Sequence, residues 1–212
     1  MTDVTATPTA QRPVSQPDRR GLFAVASDQA GYFTAAQARA CGFSWALLAY
    51  HEKTGRFLRV RQGLYRLRDY PASPREHVLA AWLAVGKETA VVSHESALDL
   101  LGLSEVVPNA VHLTVPRARR GGPSLPGVTI HTTTRALDPT DRVWRDGMAV
   151  TAATRSILDA AEAGTAPEQI ALAVAQAVER GQVIPEQLRR RAGERGRRVA
   201  ELVDQALQLT SR

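Results

Sequence analysis

Five arginines crowd one short stretch: Arg56, Arg59, Arg61, Arg66 and Arg68 lie between Gly55 and Arg68 with no acidic residue among them. A guanidinium grips a phosphate oxygen pair in bidentate fashion, so this spacing is suited to a polyanionic backbone. Just upstream, Ser44, Trp45, Ala46, Ala49, Tyr50 and Lys53 recur at helical spacing. Small residues such as Ala46 and Ala49 admit a base edge or a thymine methyl, and Lys53 can reach a guanine or a phosphate. The second group of interest is His94, His112 and His131. None has the i, i+4 helical spacing or the neighbouring carboxylates of a metal motif, so we read them as structural or hydrogen-bonding residues and expect no metal and no cofactor.

Catalytic constellations are missing. An acid-x-Lys pair for Mg²⁺-dependent cleavage needs a lysine two places after Asp or Glu, and neither Lys53 nor Lys87 has one. There is no Asp-x-Asp pair for two-metal nucleotidyl transfer and no G-x-x-x-x-G-K phosphate loop. His77 has no partner nearby in the chain, and Asp159 is placed at i, i+4 to pair with Arg155. We therefore expect no catalytic residues and no enzyme activity.

The elements that must position the basic residues can be read from caps and periods. Thr34 caps one short helix that ends at Cys41-Gly42, and Ser44 caps a second that runs to Thr54 and stops at Gly55. At about 100° per residue, Leu47, Leu48 and His51 share the inner face and Trp45, Ala46, Ala49 and Lys53 the outer one. The period then becomes alternating. Phe57, Leu58 and Val60, followed by Leu64, Tyr65 and Leu67, make two strands around Arg61-Gln62-Gly63, with the arginines pointing outward. Helix, turn, helix and basic hairpin is the winged helix-turn-helix order. A lone basic hairpin is better explained by solvation; joined to this helix pair it favours nucleic acid.

At this point a resemblance can be stated. Gly31 to Tyr65 resembles the N-terminal winged-helix domain of AbiEi-type antitoxins, those of type IV toxin–antitoxin systems, in G-Y-F-T-A-A-Q-A and G-R-F-L-R-V-R-Q-G-L-Y-R-L. The strings V-S-H-E-S-A-L-D-L-L-G-L from Val92 and M-A-V-T-A-A-T-R-S-I-L-D-A-A from Met148 continue it, so it spans about Leu22 to Ala161. The resemblance implies an antitoxin that represses its own promoter in a two-gene phage-defence module. Its implied partners are promoter DNA with inverted repeats and a cognate nucleotidyltransferase-like toxin. The alternative is an interaction module whose second half inhibits a partner enzyme without specific DNA recognition, and an unrecognised nucleic-acid enzyme is a weaker third.

Composition agrees. The chain has 212 residues, 44% hydrophobic, with a formal net charge of +6, and only Lys53 and Lys87 of its basic residues are lysines. That length holds one medium domain or two small ones. A single cysteine excludes an internal disulfide, and no apolar run reaches membrane-span length, so we expect a cytoplasmic protein with no membrane partner.

The expected class is α+β, in four parts. Residues 1–17, rich in Thr, Pro and Ala, form a disordered tail, and 18–70 the winged domain, opened by a helix from Asp18 to about Ala30. Residues 71–163 form a small mixed α/β domain after the proline-bearing linker Tyr70 to Pro74, with strands near 90–92, 111–116, 128–132 and entering Thr151. A basic Gly-rich loop, Arg117 to Gly122, separates two of them. Residues 164–212 form a helical tail whose arginines from Arg189 to Arg198 make a second basic cluster, open either to DNA or to solvent.

Overall fold

The computed structural model describes residues 16–119, 124–135 and 137–210. Residues 1–15 of the expected tail, and Arg120 to Gly122 of the expected basic loop, lie outside them. Asp18 caps the first helix, α1 (Arg19–Ser27), its carboxylate accepting from the Gly21 amide at 2.8 Å. The helix ends sooner than the expected Ala30, because Gly31 at φ +87° turns the chain into a strand, β1 (Tyr32–Thr34). Only glycine fits here: a Cβ would lie 2.5 Å from that of Tyr70, whose hydroxyl donates to the Ser27 carbonyl.

Thr34 closes β1 and opens α2 (Ala35–Ala40) with a reciprocal capping box: its Oγ1 accepts from the Gln37 amide, and the Gln37 side chain accepts from the Thr34 amide. Ser44 caps α3 (Trp45–Lys53) through the Leu47 amide at 3.1 Å. The hairpin follows as β2 (Phe57–Arg61) and β3 (Leu64–Leu67), turned at Gly63 with φ +73°. β1 pairs with β3, so the wing is a three-stranded antiparallel sheet in the order β1-β3-β2 rather than a free hairpin. A bulge between Arg59 and Arg61 breaks the expected alternation and turns Val60 out to solvent. Phe33, Phe43, Leu48, Phe57 and Tyr65 fill the small core beneath, where the Phe33 ring stacks on Tyr65 and meets Phe57 edge-on.

The second half is built on a mixed sheet. After α4 (Glu76–Val85) come β4 (Val91–Val92), α5 (His94–Leu101), β5 (Val111–Pro116), β6 (Val128–Thr133), β7 (Arg142–Arg145) and β8 (Met148–Thr151), in the order β6-β5-β4-β8-β7. β5 runs parallel to β6 and β4 parallel to β8, while β4–β5 and β7–β8 are antiparallel. β7 has no sequence signature: it is an edge strand with all four side chains exposed, so it carries no buried alternation. Helices α6 (Ala153–Ala163), α7 (Pro167–Glu179), α8 (Pro185–Gly193) and α9 (Arg197–Thr210) then pack on one another and on α5.

One large core joins α4, the mixed sheet and α5 to α9. Residues of α7, α8 and α9 share this core with the mixed sheet. Tyr32 and Leu64 of the winged sheet also belong to this core, and Arg66 donates to the Tyr70 and Pro71 carbonyls and to Glu76. The Tyr70–Pro74 linker is therefore clamped between two packed halves.

Candidate nucleic-acid interface

The outer face of α3 carries Trp45 and Tyr50, exposed by 60% and 57%, with Ala46, Ala49 and Lys53 also exposed. Two exposed rings on one short helix face form an apolar patch that a partner surface can cover. Leu48 and His51 are buried and Leu47 is half-buried, so the helical phase read from the sequence holds. Ser44, exposed, uses its hydroxyl as the cap. The Arg39 guanidinium of α2 lies over the Trp45 ring at 5.4 Å, adding a charge to this face that the sequence did not single out.

The five wing arginines divide. Arg56, Arg59 and Arg68 are exposed. Arg59 approaches Glu52 at 4.0 Å, and Arg68 Nε donates to the Gly55 carbonyl, bracing the strand ends. Arg61, half-buried, donates to the Pro126 carbonyl of the second domain at 3.2 Å. Arg66 departs from the expectation that every guanidinium points outward. Its side chain is only 11% exposed, pairs with Glu76 at 3.2 Å and lies over the Tyr32 ring. Its register opposite Tyr32 and Leu58 aims it at the domain junction, away from the α3 face.

The second domain gathers a separate polar site. A pocket of about 230 Å³ is lined by His94, His131, Arg135, Arg155, Asp159, Glu162 and Arg195, among others. Arg155 Nε reaches both Asp159 oxygens at 3.0 and 2.8 Å, which is the i, i+4 pair expected from the sequence. Arg195 bridges Asp159 and Glu162, Arg135 meets Glu162, and Arg191 meets Asp141, which also faces Arg155. Arg195 holds the Glu162 carboxyl below its usual range even though burial opposes the shift. Within the second basic cluster Arg189 pairs with Asp204, Arg197 with Glu201, and Arg198 donates to the Ala161 and Glu162 carbonyls, while Arg190 is exposed.

Against this network stand the three histidines, whose ring nitrogens lie within 4.8 Å of one another. Parallel pairing of β5 with β6 sets His131 opposite Thr114, two residues from His112, so both imidazoles share a face. The β4–α5 corner brings in His94. Burial and the charges of its two histidine neighbours push the His94 pKa down to about 2, and burial lowers His112 and His131 as well. Each of these shifts favours the neutral imidazole, the form that can ligate a metal.

Comparison with known proteins bears on the first of these sites. Residues 21–68 match the family described as "Transcriptional regulator, AbiEi antitoxin". The matched segment begins in α1 and ends just past β3, so it covers the helix pair and the wing. No curated protein matches the chain. Among solved structures, the RV2827C protein from Mycobacterium tuberculosis is similar, with a TM-score of 0.57 at 15% identity over 87% of this chain and 75% of that one. At that identity the likeness concerns the fold, and it extends through both halves.

The matched segment holds every residue that the sequence assigned to DNA. Apart from Arg39, what the sequence missed lies outside it. Arg135, Asp141, Glu162 and Arg195 come together from four separate elements, and no local spacing announces them. The histidines were visible as residues but not as a cluster.

Proposed function

We propose that the chain is a DNA-binding antitoxin that represses the promoter of its own two-gene module and counters a nucleotidyltransferase-like toxin. The observation that carries the DNA half is the shape of the α3 face. A capped helix presents Trp45, Ala46, Ala49, Tyr50 and Lys53 to solvent beside a wing whose Arg56, Arg59 and Arg68 are exposed. A helix of this kind fits the major groove while the wing straddles the adjoining phosphates. The AbiEi match over this segment supports the regulatory reading.

The toxin half rests on the family description together with the size of the second half and of the core it builds. Within the described residues no helix is long and apolar enough to cross a membrane. The test is a gel-shift and promoter-reporter series with Ala49→Glu. Ala49 is exposed, so the variant keeps its melting temperature within a degree or two while a carboxylate enters the groove face. Operator binding and repression should be lost together. Full repression by a folded Ala49→Glu protein would remove α3 from the interface. Toxin neutralisation is read separately, as growth on toxin induction; a variant that rescues growth without repressing assigns neutralisation to the second domain.

A further inference from the structure

The histidine cluster lies outside the DNA-binding reading. His94, at the first position of α5, is held at φ +52°, a left-handed conformation that a non-glycine residue adopts only when its surroundings enforce it. The consequence is that its ring stacks on His131 with centroids 3.6 Å apart and planes 16° from parallel. His94 Nδ1 is 2.8 Å from Ser93 Oγ, which in turn accepts from Thr114 Oγ1. Ser93 stands at the cap position of α5, yet its side chain makes no cap bond. In the tautomer that donates Nδ1–H to Ser93, the lone pair of His94 Nε2 is free, the form that metal-ligating histidines usually show.

His112 Nδ1 and His131 Nε2 face each other at 2.9 Å, and His112 Nε2 is buried without a hydrogen-bond partner. Hydrogen bonding alone accounts poorly for this trio, because the nearby carboxylates are engaged elsewhere: Asp159 with Arg155 and Arg195, Glu162 with Arg195 and Arg135, and Glu95 with the Thr165 hydroxyl. The same pairing neutralises the guanidiniums that would otherwise repel a cation. Tetrahedral coordination with metal–nitrogen bonds of about 2.0–2.1 Å places ligand nitrogens about 3.3 Å apart. The His112–His131 separation is already near that value, and ring rotation brings in the third nitrogen.

We propose that His94, His112 and His131 form a site for a divalent cation of the zinc class, with the fourth position open to the pocket. Three imidazoles and no thiolate suit zinc, cobalt or nickel and exclude a hard cation such as Mg²⁺ or Ca²⁺. The open position faces Arg135 and Arg195, a wall that accommodates water, hydroxide or an anionic ligand. An ion there would tie the start of α5 to β5 and β6.

The test uses the full chain, stripped with a chelator and titrated with Zn²⁺ by calorimetry and with Co²⁺ by visible absorption. One equivalent should bind per chain, with the intense d–d bands of tetrahedral cobalt, and the melting temperature should rise. His94→Ala with His131→Ala should lose the bands and the thermal shift, while His77→Ala, at an exposed position, should keep both. If the double variant does not fold, side-chain ¹⁵N shifts of the wild type on Zn²⁺ titration give the answer, since only these three of the five histidines should move. Absence of stoichiometric binding, or ligand shifts at His51 or His77 instead, would overturn the site.

Discussion

Replacing Arg59 and Arg61 together by alanine probes the wing most directly, because the structure separates these arginines from Arg66. Arg59 has its side chain about half exposed, and its 4.0 Å approach to Glu52 is a surface pair of at most about 1 kcal/mol that a phosphate can displace. Among the described residues Arg61 makes one hydrogen bond, to the Pro126 carbonyl, leaving further N–H donors. For every phosphate no longer gripped, the slope of log affinity against log salt falls by about 0.9, so the double variant should lose about 1.8. Between about 50 and about 200 mM salt that amounts to a roughly twelvefold narrowing of the affinity gap between the two proteins, for any DNA sequence. Arg66→Ala should behave oppositely. It leaves Glu76 and the Tyr70 and Pro71 carbonyls without their donor, costing about 1–3 kcal/mol of stability with no change of slope. Fluorescence anisotropy with specific and unrelated duplexes, across a salt series, measures the slopes. An unchanged slope in the folded Arg59/Arg61 variant would refute the wing as a phosphate clamp; a reduced slope in Arg66→Ala would show that the junction arginine had been misplaced.

Three further outcomes follow from the same geometry. Gly31→Ala should cost at least about 1–3 kcal/mol from its backbone conformation alone, before the clash with Tyr70; Gly63→Asn, also left-handed but with open space around it, should cost under about 1 kcal/mol, both read by chemical denaturation. Arg155→Met should destabilise by about 3 kcal/mol, the lower end for a broken buried pair, because Asp159 keeps Arg195 and Asp141 keeps Arg191; a loss under about 1 kcal/mol would show the network to be solvated. His51 is buried with both ring nitrogens unpartnered, and burial with the charges of Arg56 and Arg19 holds its pKa below 6.5. The unfolded chain then binds the proton more readily, so stability falls as pH drops below about 6.5 towards the folded pKa. His51→Leu should flatten that fall by up to about 1.4 kcal/mol per pH unit, measured by urea unfolding between pH 7 and pH 5, and an unaltered pH profile would exclude the residue as its source.

The winged half was legible in the sequence because its determinants are local. Thr34 and Ser44 cap helices through amides three residues on, Gly55 and Gly63 mark turns by their own backbone freedom, and the phase of α3 follows from Leu47, Leu48 and His51 alone. Four positions on α3 could therefore be assigned to the outside from spacing. Arg66 shows the limit of that reasoning. Alternation along a strand says which face a side chain takes, but β1 and α4 decide what that face meets, and they make the site a junction rather than a surface. The second half depended on such decisions throughout. β7 pairs through its backbone and buries nothing, so its letters carry no period. Arg155 and Asp159 could be paired by their helical spacing, whereas Arg195, 36 residues beyond Asp159, reaches it only because α9 folds back over α6. His94, His112 and His131 are separated by 18 and 19 residues, and their proximity comes from the parallel register of β5 on β6 and a left-handed turn at the head of α5. Local sequence fixes caps, turns and faces because those interactions span a few residues; sites assembled across strands and helices exist only once the chain has closed on itself.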